Sequence, residues 1–93
     1  MKEEVIKILI ERGYPEKQAV PVASNLLNVD NQLQNGLHLW LTIGKETDYQ
    51  IEGFKLSELK QKFDMTYPAA LLTIDWLIKE PEMAIKGISR GIR

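Results

Sequence analysis

The chain has 93 residues, 44% of them hydrophobic and 27% charged, the make-up of a single globular domain spanning 1–93. That composition excludes a disordered tail or a collagen-like repeat, and the absence of cysteine excludes disulfides, thiol catalysis and thiolate metal sites. Twelve Lys and Arg against thirteen Asp and Glu leave a net charge of -1, whereas a domain that grips nucleic-acid phosphates carries a basic excess.

The first segment, about Lys2 to Arg12, carries Val5, Ile6, Ile8, Leu9 and Ile10 as a broad helical stripe. Gly13 stands where a left-handed C-terminal cap is wanted, and Pro15 suits the first position of a second helix. Ala19, Val22, Ala23, Leu26 and Leu27 form the face of that helix, and Pro21 inside it predicts a kink or a late start near Val20. A break follows over Asn28 to Asn31, with Asp30 as the next N-cap. Two readings fit Leu33 to Gly44. As a helix, Leu33, Leu37, Trp40 and Leu41 share a face, Gly36 allows close packing and Gly44 ends it. As a strand, Leu37 to Ile43 alternates and pairs across Lys45-Glu46-Thr47-Asp48 with Tyr49 to Leu56, which Gly53 weakens. The helix is preferred because Leu33 belongs to its pattern.

Ser57 to Phe63 reads as a short helix with Leu59 and Phe63 inward, and Thr66 or Tyr67 caps the next helix with Pro68 in its first turn. The segment from Pro68 to Lys79 is apolar nearly all round, which places it at the centre of the fold with nothing left over to touch a ligand. Glu80-Pro81 breaks it, a last helix runs to about Ser89, and Gly91-Ile92-Arg93 is expected to fray. The expected fold is mainly α, a compact bundle of five or six short helices. It leaves room for a short extended segment or β-hairpin within residues 37–56. A helical subregion, 57–90, gathers around the central helix 68–79.

Residues 3–42 resemble a ubiquitin-associated (UBA-like) three-helix domain. Gly13-Tyr14 stands at the loop after the first helix, Ala19 follows six residues after the glycine, and a third segment ends in Trp40-Leu41. Arg12 replaces the usual Met, Pro21 interrupts the second helix, and the second connection is a few residues longer. The resemblance implies a peptide- or protein-binding module with Gly13, Tyr14, Trp40 and Leu41 at the contact surface.

Other constellations have structural explanations. Gly87-Ile88-Ser89-Arg90-Gly91 spells a nucleophile-elbow pattern, yet neither His nor an acid follows it. His38 is the sole histidine and has no Asp or Glu within seven residues on either side. Trp40 and Trp76 read as core anchors. A degenerate helix-turn-helix spans 57–79, with Lys60 where a small residue belongs and Asp64 where Gly is usual. Its second helix offers only Tyr67, Thr73, Asp75 and Lys79 for base and phosphate contacts. Met1-Lys2-Glu3-Glu4 lacks the layout of a secretory signal, and no apolar stretch reaches the roughly 20 residues that cross a bilayer.

The expectation is a non-enzymatic, cytoplasmic protein-interaction or regulatory module that acts through a protein partner or self-association. It carries no cofactor, no metal, no small-molecule substrate and no membrane contact. Nucleic acid is disfavoured, and the alternative is a DNA-binding regulator using 57–79. His38→Ala and Ser89→Ala should leave the melting temperature and any discovered activity unchanged, and loss of activity in either variant overturns this reading.

Overall fold

The apolar stripe of the first segment forms α1 (Lys2–Glu11), which buries Val5 and Leu9. The computed structural model describes residues 1–91, so the fraying expected of Ile92 and Arg93 lies outside the described residues. Gly13 ends the first turn-back, with the Tyr14 N–H reaching the Leu9 carbonyl at 3.0 Å. Pro15 is the extended N-cap of α2 (Glu16–Leu26), one residue earlier than its expected place inside the helix. The late start predicted from Pro21 does not occur, and α2 runs through it. Pro21 and Lys17 are exposed, so the carbonyl deprived of its donor can bond water instead.

Asp30 caps α3 (Asn31–Ile43), its carboxylate accepting the Gln32 N–H at 3.0 Å. Leu33, Leu37 and Trp40 are buried on one face and Gly44 closes the helix, so the helical reading of this stretch holds. The hairpin exists further along and is shorter than the strand reading required. It pairs β1 (Gln50–Ile51) with β2 (Phe54–Lys55), Ile51 opposite Phe54. Glu52 and Gly53 form the two-residue turn with φ of 54° and 83°. Two positive φ values in succession give the turn whose twist matches that of the strands, and glycine adopts this conformation without steric cost.

The second half is α4 (Leu56–Lys62), α5 (Tyr67–Lys79) and α6 (Pro81–Ser89), giving six helices among the described residues. Thr66 caps α5, accepting the Ala69 N–H, and Glu80 serves as the break between α5 and α6. α5 packs against α2, α3, α4, α6 and β1. Tyr67, at its start, stacks on Trp40 with ring centroids 6.0 Å apart and donates its hydroxyl to the Thr47 carbonyl at 2.8 Å. Burial, with nearby Tyr49, Glu46 and Asp48 adding repulsion, pushes the Tyr67 phenol well above its ordinary range. No described helix is long and apolar enough to cross a membrane.

The centre of the fold is α5, as its apolarity predicts, with Ala70, Leu71 and Ile74 fully buried. The expectation that this helix leaves nothing to touch a ligand is wrong. Leu72 and Trp76 are only half-buried and line a groove. A helix apolar on every side still has one stripe left open where the neighbours packed around it do not meet. Leu71→Ala or Ile74→Ala should cost about 2–5 kcal/mol in urea denaturation. A loss below about 1 kcal/mol would place the segment at the surface.

Candidate functional site

The groove is built by the last turn of α2, the residue stretch after it, and one face of α5. Leu72, Trp76 and Glu80 succeed one another at i, i+4 and i+8, the spacing that stacks side chains along one helical stripe. Asp75 and Lys79 run beside them, Asn25 and Asn28 form the opposite wall, and the space enclosed is about 230 Å³.

Asp75 fixes this geometry. It is buried, and a buried carboxylate is costly unless its oxygens are occupied. One oxygen accepts the Asp30 backbone N–H at 2.9 Å, and the other pairs with the Lys79 ammonium at 2.8 Å. Lys79 also donates to the Asn28 carbonyl at 2.6 Å. Asp75 thus completes the cap of α3, doing from another helix what a glutamate in the first turn does in a capping box.

Trp76 is held from behind. Its six-membered ring occupies the space a side chain at Gly87 would need, since a Cβ there would meet the ring at 2.5 Å. Its indole N–H has no acceptor among the described residues. The Asn25 side chain has no hydrogen-bond partner among the described residues either, and Asn28 uses its Nδ2 on the Ser24 carbonyl. An apolar floor bordered by a few polar groups that the fold does not use is the composition of a recognition site.

A larger concavity, about 490 Å³, lies over α4 and is lined by Glu46, Asp48, Ser57, Lys60, Gln61 and Asp64 above Leu56 and Met65. Its polar groups mostly serve the fold. Lys55 at the N-cap of α4 offers no side-chain acceptor. Asp48 supplies one from the preceding loop, accepting the Ser57 N–H at 2.9 Å and the Ser57 hydroxyl at 2.8 Å. Glu46 pairs with Lys60. Slight burial would raise the Asp48 pKa, but the Ser57 N–H and hydroxyl, the Tyr49 N–H and the Lys55 charge outweigh it and hold it below the usual value.

The four residues singled out by the UBA-like resemblance lie in different settings joined by Arg12, which lines the hollow of Gly13 and Tyr14, lies over Trp40 and donates to the Leu41 carbonyl at 3.4 Å. Gly13 and Tyr14 line a small hollow with Pro15, Gln18 and Thr66, and the Tyr14 hydroxyl hydrogen-bonds Thr66 Oγ1. Trp40 is buried, with the Arg12 guanidinium 4.5 Å above its ring. Leu41 lies in a separate apolar groove with Met1, Val5, Leu27 and Leu37, where His38 is also found. The polar side chains of the would-be recognition helix are engaged internally. Tyr67 bonds Thr47, Thr73 donates to the Ala69 carbonyl at 2.9 Å, and Asp75 and Lys79 hold each other. Ser89 is the last residue of α6, not the corner of a strand-to-helix turn.

The Leu72–Trp76 stripe was the feature sequence reasoning missed. The i, i+4, i+8 run ending in Glu80 was visible, but the surrounding apolar residues hid which side was open. No protein family, curated protein or solved structure matches this chain.

Because its pKa is lowered in the folded chain, the Asp48 carboxylate adds stability that is full above about pH 4, the ordinary carboxylate range, and fades as acid takes the pH down through the lowered value. Asp48→Ala should cost about 0.5–1 kcal/mol near neutrality, since the carboxylate is solvent-screened. It should also flatten the acid limb of stability measured by urea titration at stepped pH. An unchanged acid limb would sink this assignment.

Proposed function

We propose that this chain is a non-enzymatic cytoplasmic protein-interaction or regulatory module whose contact surface is the groove around Leu72 and Trp76. The carrying observation is a half-buried tryptophan, braced from behind by Gly87, whose N–H has no acceptor among the described residues. Tryptophan in that setting is the side chain most often found at the energetic centre of protein interfaces, where its N–H meets an acceptor on the partner. The UBA-like resemblance of 3–42 supports the same class, although it directs attention to Gly13, Tyr14, Trp40 and Leu41.

The DNA-binding reading has one observation in its favour. Asp64, in the turn between α4 and α5, has φ of 52°, the conformation for which a helix-turn-helix uses glycine. Against it, α5 has no free Arg, Asn or Gln to read bases, and Lys79 is paired.

Affinity capture from native cell extract separates these readings. Trp76→Ala and Leu72→Lys should lose the captured partner, the tryptophan truncation weakening binding by about 2 kcal/mol or more, while circular dichroism shows the fold retained. Tyr14→Ala should capture as the unsubstituted chain does. Loss with Tyr14→Ala alone would move the surface to the α1–α2 loop. A salt-dependent mobility shift on duplex DNA would favour the alternative.

A further inference from the structure

The groove carries a charge that no ion pair among the described residues balances. Asp75 and Lys79 neutralise each other at 2.8 Å, and Lys79 is further held by the Asn28 carbonyl. Glu80 lies on the same stripe, one turn beyond Trp76, is exposed, and makes no ion pair among the described residues. The lining therefore sums to one negative charge beside an indole, and it includes Asn25 and Asn28, whose side-chain oxygens accept no hydrogen bond among the described residues.

The side chain that fits this set is arginine. Its guanidinium is planar and weakly hydrated, stacks on tryptophan, and presents several N–H donors at once to carboxylate and amide oxygens. Lysine brings a strongly hydrated point charge that uses the flat indole less well. We propose that the groove takes an arginine-bearing segment of a partner protein. Its guanidinium lies against Trp76 and pairs with Glu80, an aliphatic neighbour rests on Leu72, and a backbone carbonyl of the segment accepts the Trp76 N–H. This rests on the interaction reading above and adds the chemistry of the partner to it.

The test is a magnetic-resonance titration of the full, nitrogen-labelled chain with the blocked hexapeptide acetyl-Ala-Leu-Ala-Arg-Ala-Ala-amide. A second titration uses its citrulline counterpart, which keeps the shape and loses the charge. The Trp76 indole and Asn25 side-chain amide signals should move while those of Trp40 stay, and the arginine peptide should bind about tenfold more tightly than the citrulline one. Glu80→Gln should equalise the two peptides. This substitution removes no cap, because Glu80 makes no side-chain hydrogen bond at the start of α6. Gly87→Ala, which displaces the indole, should weaken both. Equal binding of the two peptides to the unsubstituted chain, or shifts that bypass Trp76, overturns arginine recognition. If partner capture still depends on Trp76 in that event, the interaction reading stands and only its specificity falls.

Discussion

One buried carboxylate sets the arrangement of this fold. Asp75 has its oxygens occupied by the Asp30 N–H and the Lys79 ammonium, and removing either partner would leave a charge in a poorly solvated place. The requirement fixes the rotation of α5 about its own axis, because the helix cannot turn without withdrawing Asp75 from the start of α3. With the rotation fixed, Leu71 and Ile74 face the centre, and Leu72 and Trp76 are carried to the edge. Core and groove thus follow from the same interaction.

Asp48 repeats the device on a smaller scale. In both cases a helix start is completed by an acid from elsewhere in the chain, Asp48 for α4 and Asp75 for α3. Small domains have little apolar area to hold their elements in place, and directional bonds between one element and the first turn of another specify orientation where bulk packing leaves latitude. The Tyr14 hydroxyl on Thr66, itself the cap of α5, ties α1–α2 to α5 in the same way.

Local chemistry made much of this legible beforehand. Asp30, Thr66, Gly44 and the Glu80-Pro81 break were readable because caps and breakers act within a few residues of themselves. The hairpin falls within the expected residues 37–56, but its turn was not legible, because Glu52-Gly53 is not a common turn pair and Gly53 reads as a weak strand residue rather than the turn itself. Pro21 misled because its cost depends on whether the freed carbonyl meets solvent, which a linear pattern does not show. The role of Asp75 was beyond reach, since its partner at Asp30 is 45 positions away in sequence. The groove was hidden for the same reason: α5 is apolar throughout, and only its neighbours decide which stripe stays open.

The two tryptophans sit in different mechanical settings. Trp40 is buried, stacked on Tyr67 and covered by the Arg12 guanidinium, whereas Trp76 rests its ring edge on Gly87 of α6. Detachment of α6 alone would bare the second indole to solvent and leave the first untouched. The chain therefore contains its own pair of optical gauges, one for partial opening at the C-terminal end and one for collapse of the whole.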